Sequence, residues 1–261
     1  MNSQPHALGV IIVGDEILVG KRQDRHLAHV IDRLNSRGLR LAWCRYVGDD
    51  LRELTDHLRQ SQLGEVPVLC FGGIGATPDD CTRQAAASAF GCPLVMHADA
   101  VACIEAQFGE GAYPNRIRMA ELPEDCLLIP NPVNNIPGFT LYDHHFLPGF
   151  PEMAWPMLEW VLESYFPVQF DSLHERSIRV LGVKESQLLP LMDAMSERHT
   201  EVKLFSLPHR GARNSIEIGF RGSAQSVESA FAELLAAIKA QGLEIKSAAR
   251  SDLPESGVIS Q

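Results

Sequence analysis

No uninterrupted apolar run in this sequence reaches the ~18 residues that a membrane-spanning helix needs. Cations are scarce as well: Lys plus Arg number 23 against 33 Asp plus Glu, for a net charge of −10. Non-specific attraction to nucleic acid or anionic lipid requires clustered positive charge, so neither is expected as a partner. The six cysteines (Cys44, Cys70, Cys81, Cys92, Cys103, Cys126) form no C-x-x-C pair. There is no H-E-x-x-H or close Cys/His spacing either, which leaves no zinc motif. Several cysteines sit in apolar segments and read as small buried hydrophobes of a reducing cytoplasm. The first apolar run, Ala7–Val13, is short, lacks a basic leader and ends in Gly14-Asp15-Glu16, so no signal peptide is expected.

What is present is an ordinary globular composition, 45% hydrophobic and 21% charged over 261 residues, enough for one large domain and a smaller companion. Residues 8–13, 41–47 and 66–71 read as buried strands, alternating with helical patterns over 24–36 and 51–60. The loop from Gly72 to Pro78 opens a further helix running to Phe90. Such alternation predicts right-handed βαβ units and a mostly parallel, three-layer α/β/α sheet. Helices over 98–108 and 153–165 and short strands near 127–129, 139–142 and 145–147 complete a first domain spanning 1–168. A β-α-β-β-α-(β) pattern over 174–247 predicts a small α+β domain, and the polar stretch 248–261 reads as a disordered tail. Gly219-Phe-Arg-Gly222 matches the G-x-x-G of KH modules but has little basic company, and reads as a turn before a helix. Trp155 and Trp160 read as packing residues, and the histidines as surface or packing groups.

Three Gly/acid clusters fall at strand ends, where open parallel sheets bind ligands. They are Gly14-Asp15-Glu16, Val47-Gly48-Asp49-Asp50 and Gly72-Gly73-Ile74-Gly75-Ala76-Thr77-Pro78-Asp79-Asp80-Cys81-Thr82. Consecutive glycines let a backbone approach a ligand and aim its N–H groups at phosphate or carboxylate oxygens. The third cluster is neither a Walker loop nor a dinucleotide fingerprint. Locally it is also a good helix start, with Thr77 as N-cap, Pro78 in the first turn and Asp80 closing a capping box. A phosphate beside Asp79 and Asp80 is repelled unless a cation intervenes, which suggests a Mg²⁺-assisted nucleotide site. Arg116 or Arg118 is a candidate positive clamp. Asn131-Pro-Val-Asn134-Asn135-Ile-Pro-Gly138 and Pro148-Gly149-Phe150-Pro151-Glu152 read as rigid turns.

Together these segments resemble the MoaB/Mog molybdopterin-binding superfamily, and within it the nucleotide-handling N-terminal region of the competence/damage-inducible CinA proteins, over about residues 8–166. The unit after it looks like the small KH-like domain that follows in CinA, whereas the CinA deamidase domain is expected to be absent. The resemblance implies an oligomeric domain that binds a nucleotide or pterin phosphate at its strand ends. Its relatives hydrolyse a nucleotide pyrophosphate of ADP-ribose or FAD type with a divalent metal, or adenylylate molybdopterin; a non-catalytic nucleotide- or pterin-binding role is the third alternative. By motif match, Asp80 and Asp49 take the places of catalytic or metal-organising acids, with Mg²⁺ or another divalent cation between them and the substrate. Gly72, Gly73 and Gly75 take the phosphate-loop positions, with Thr82 a ligand to phosphate or a support of the helix start. Asp15, Glu16, Asn134, Gly138, Pro148, Gly149 and Glu152 align with turns around the same pocket. The motif departs from its relatives at Ile74, at Asp24-Arg25-His26 and at Asn134-Asn135.

Overall fold

The computed structural model describes residues 7–64, 66–167, 174–209 and 214–247. The chain divides into two compact units, Met1–Gln169 and Phe170–Gln261. The expected tail, 248–261, lies outside the described residues. No described helix is long and apolar enough to cross a membrane.

The first unit opens with β1 (Ala7–Val13), a short helix α1 (Asp15–Leu18), α2 (His26–Ser36), β2 (Arg40–Val47), α3 (Leu51–Gln62) and β3 (Val68–Phe71). It continues with α4 (Thr82–Phe90), β4 (Leu94–Met96), α5 (Ala98–Phe108), two 3₁₀ turns (Gly109–Ala112 and Arg116–Ala120), β5 (Glu121–Pro123) and β6 (Leu127–Ile129). It closes with β7 (Gly138–Leu141), β8 (His144–Leu147) and α6 (Pro151–Tyr165). Six strands form one sheet in the order β2-β1-β3-β8-β7-β6, while β4 and β5 pair separately. The β2/β1, β1/β3 and β3/β8 contacts are parallel, and β8/β7 and β7/β6 are antiparallel.

The period of two along the strands divides the core into two layers. Ile11, Val13, Val68 and Cys70 face α3, α4 and α5 through Leu54, Leu58, Ala85, Ala86 and Ile104. Val10, Ile12, Leu69 and Phe71 face α2 and α6 through Val30, Leu34, Met157, Leu158 and Val161. Trp155 and Trp160 pack against that second layer. The observed sandwich is the mostly parallel α/β/α arrangement expected from the strand–helix alternation.

Two local expectations change. The helix after the glycine loop begins at Thr82 with Cys81 as its N-cap, not at Pro78. Half of the expected capping box forms, since the Asp80 carboxylate accepts the Thr77 N–H at 2.9 Å. The Asp80 N–H, however, closes a single turn on the Thr77 carbonyl, and the loop runs on to Cys81 before helical bonding starts. Similarly, α2 starts at His26 because the Asp24 carboxylate accepts the His26 and Leu27 N–H groups. Asp24 therefore lies before the N-cap Arg25 and bonds the first helical amides from outside, rather than being the first helical residue.

The second unit comprises β9 (His174–Leu181), α7 (Glu185–Arg198), β10 (Lys203–His209), β11 (Ser215–Gly222), α8 (Ala224–Ala240) and β12 (Ile245–Ser247). Its four strands pair antiparallel in the order β10-β11-β9-β12, the split β-α-β arrangement of a small α+β domain. Val180, Ile216, Ile218 and Phe220 pack against Leu188 and Met195 of α7 and Val227, Phe231 and Leu234 of α8. Gly219–Gly222 lies inside β11, not in a turn: Gly219 is paired with Ser177 and Phe205 and leaves no room for a Cβ.

Candidate functional site

The C-terminal ends of β1, β2, β3 and β8 release four loops on one edge of the sheet. The loops after β1 and β2 are tied together by reciprocal bonds: Asp15 N–H donates to the Asp49 carboxylate at 2.9 Å, and Asp49 N–H to the Asp15 carboxylate at 3.2 Å. The loop after β8 abuts the one after β3, since a Cβ on Gly149 would lie 3.3 Å from the Gly72 Cα. His26 anchors that turn through its Nε2, 3.1 Å from the Gly149 carbonyl oxygen, while its ring stacks on Phe71. Between the loops lies a cavity of about 590 Å³.

Its floor is the glycine loop. Gly72 has φ +102° and sits against the Val13 carbonyl; Gly73 has φ +68°, and a Cβ there would meet Thr82 Oγ1 at 2.2 Å. Both positions need glycine for close approach and for the left-handed backbone. Thr82 is fully buried behind them and donates its hydroxyl to the Gly72 carbonyl at 2.9 Å, while its N–H donates to the Gly73 carbonyl at 2.9 Å. In a trans peptide the next N–H points opposite the carbonyl, so these inward bonds turn the Gly73 and Ile74 amides outward. No hydrogen bond among the described residues uses the N–H groups of Gly73, Ile74, Gly75 or Ala76. Successive unused amides of this kind make an anion-binding concavity.

The walls are acidic. Glu16, Asp49, Asp79 and Asp80 face the cavity with a single cation, Arg22. Arg22 already pairs with Glu16 at 3.5 Å and lies over the Phe150 ring. Burial raises the proton affinity of Asp49 above the usual carboxylate range; the Asp15 amide opposes this, and the Asp15, Glu16 and Asp79 carboxylates add to it. An apolar side is formed by Ile74, Met119, Ile136 and Met153, beside Asn131 and Asn134. Both asparagines fold their side-chain oxygens onto local amides, at Val133 and Ile136.

Of the residues singled out in the sequence, Gly72, Gly73, Gly75, Asp49, Asp80, Glu16, Asn134, Pro148 and Gly149 line this one cavity. Thr82 supports it from beneath, and Asp15 serves as a clamp beside it. Gly138 is not brought there; it is buried in β7, packed on the Phe146 carbonyl and Met157. Glu152 points elsewhere, pairing with Arg25 at 3.7 Å on a neighbouring groove with Trp155. The candidate clamp residues also lie off the site: Arg116 donates to the Gly111 carbonyl and covers Phe108, and Arg118 is absent from the cavity wall. Arg22 takes that position instead. Met119, Arg22 and Met153 carried no sequence signal, because nothing in their local pattern reveals which loop they face.

Among the described residues, no group of three or more His, Cys, Asp or Glu is gathered so as to hold a metal ion. The donor set does suit the other mode of Mg²⁺ binding, in which one or two carboxylates act together with phosphate oxygens of a ligand. Asp49 and Asp80 each commit one oxygen to a loop amide, which leaves the second oxygen for such a role.

Residues 9–167 match the model of a family described as a probable molybdopterin binding domain. A CinA-like protein of Citrifermentans bemidjiense is 32% identical over 205 residues, covering 76% of this chain and 50% of that protein. A CinA-like protein of Syntrophotalea carbinolica is 33% identical over 198 residues, covering 69% and 46%. The chain thus spans about half the length of these curated relatives. The crystal structure of CinA from Thermoplasma acidophilum, a protein of unknown function, superposes with a TM-score of 0.58 at 30% identity, covering 63% of this chain and all of that one. With the glycine-floored cavity at the sheet edge and the family match over residues 9–167, the chain belongs to the molybdopterin-binding superfamily as a CinA-like protein.

Proposed function

We propose that this protein hydrolyses a nucleotide pyrophosphate of the ADP-ribose or FAD type with the help of a divalent cation. The observation that carries the reading is the pairing of opposites in one cavity: a floor of unused amides suited to phosphate, walled by four carboxylates and one arginine. A bound pyrophosphate there needs a cation to offset the carboxylates, and Asp49 and Asp80 are the residues that would hold it. Mg²⁺ or a similar ion, when bound, supplies charge neutralisation on the phosphate oxygens. The amides of Gly73, Ile74 and Ala76 orient the phosphate and stabilise charge that builds on it. The apolar side accommodates a planar ring. Water oxygen bonds to one phosphorus, the bridging P–O bond breaks, and two phosphate monoesters leave.

One observation favours a second reading. Because Asp49 and Asp80 also brace loop amides, the same cavity suits a protein that binds a nucleotide or pterin phosphate without turning it over. The experiment is incubation with ADP-ribose, FAD and ATP, each with Mg²⁺ or Co²⁺, with products resolved by anion exchange. The expected result is AMP with ribose phosphate or FMN, lost in Asp80→Asn, whose amide oxygen still serves Thr77. Absence of turnover together with retained ligand binding would overturn hydrolysis in favour of binding.

A further inference from the structure

We infer that Arg83, which does not itself line the cavity, is a positioning residue that aims the glycine-loop amides at a bound phosphate. The inference rests on the reading that the loop receives phosphate.

Arg83 is 2% exposed, the bulkiest of the fully buried side chains. Its guanidinium bonds only to carbonyl oxygens: those of Gly75 at 2.8 Å, Glu121 at 3.0 Å and Arg118. Its Nε has no partner, and no ion pair among the described residues includes it. Burying a guanidinium with no carboxylate hydrogen-bonded to it is costly, and an aliphatic side chain would fill the same space without that cost. The residue therefore calls for an explanation beyond packing.

The three carbonyls supply one. Gly75 belongs to the cavity floor, while Arg118 and Glu121 flank Met119 and Ala120, the segment that brings Met119 to the cavity wall. Arg83 thus links the floor to the apolar side. Its bond draws the Gly75 carbonyl inward, and the trans peptide then sends the Ala76 N–H outward, toward the cavity that Ala76 lines. Thr82 does the same for the Gly73 and Ile74 amides through the Gly72 and Gly73 carbonyls. Adjacent residues of one helical turn thereby orient three outward amides, with Arg83 setting the last. Its charge forms no ion pair among the described residues, although the Glu121 and Asp80 carboxylates act on it through space.

The test is binding of inorganic pyrophosphate with Mg²⁺ to the full chain, wild type against Arg83→Met and Arg83→Lys, by calorimetry, with thermal unfolding measured alongside. Pyrophosphate is base-independent, so the identity of the nucleotide does not enter. The expected result is at least about a tenfold loss of affinity in Arg83→Met and a smaller one in Arg83→Lys, the scale of losing charge-assisted orientation. In the wild type, amide NMR should show pyrophosphate shifting the Gly73, Ile74 and Ala76 resonances, and this arm needs no variant to fold. Equal pyrophosphate affinity in folded wild type and Arg83→Met, or an Ala76 amide unmoved while Gly73 and Ile74 respond, would overturn the role of Arg83 and leave the phosphate reading intact. No pyrophosphate binding to wild type would overturn the phosphate reading, and Arg83's role with it.

Discussion

Gly73→Ala is the most direct probe of how the glycine loop is built. The substitution places a Cβ 2.2 Å from Thr82 Oγ1, a fully buried hydroxyl held on the Gly72 carbonyl, at a backbone φ of +68°. The left-handed conformation costs alanine about 1 kcal/mol, and forcing a buried contact of this kind costs about 2 kcal/mol more. Thr82→Ala alone loses one buried hydrogen bond, about 1 kcal/mol. In the double variant the colliding hydroxyl is gone, although Thr82 Cβ remains 3.2 Å away. Its destabilisation should then be about 2 kcal/mol where the single variants together predict about 4, a coupling near 2 kcal/mol. Urea unfolding followed by tryptophan fluorescence is the assay, because all three tryptophans, Trp43, Trp155 and Trp160, lie in the first unit and report it alone. Additive single and double effects, within about 0.5 kcal/mol, would refute the claim that Gly73 is dictated by contact with Thr82.

Three further outcomes follow from the same geometry. Burial lowers the pKa of His144 to about 4 and of His145 to about 3; His144 Nε2 meets the Ser61 hydroxyl while its Nδ1 has no partner, and His145 Nδ1 meets the Thr140 hydroxyl. The unfolded chain takes up these protons first, so stability is full above pH 6.5 and falls toward pH 4, by about 1.4 kcal/mol per pH unit for each ring. His144→Leu should flatten that slope in pH-dependent urea titrations. Because the Asp49 carboxyl is raised, its ionisation opposes folding above the ordinary carboxylate range. Asp49→Asn should therefore be at least as stable at neutral pH, the gain vanishing in thermal melts below about pH 4, while any cation-dependent turnover is lost. Glu159 bridges Arg33 and the buried Arg37, the latter at 3.1 Å. Glu159→Ala should cost about 2 kcal/mol in the same fluorescence assay, and a change below 0.5 kcal/mol would show the pair to be solvated.

The sequence by itself determined the order of elements, because local periodicity decides which face of a helix or strand is apolar. The helix over Ala98–Phe108 and those over Glu185–Arg198 and Ala224–Ala240 end where that pattern ends. It also determined that Gly14–Glu16, Gly48–Asp50 and Gly72–Thr82 follow strands of one sheet, which is enough to bring them to one edge. The start of α4 was not legible, since Thr77-Pro78 offers a good local cap and only the bonds from Thr82 to Gly72 and Gly73 delay the helix. Tertiary structure alone decided that Asp15 and Asp49 clamp each other, that Glu152 turns away to Arg25 while Arg22 enters the cavity, and that Arg83 lies beneath the glycine loop. The physical reason is common to all three: a charged side chain takes its partner from whichever loop packs beside it, and the sequence separation of these pairs carries no periodic signal.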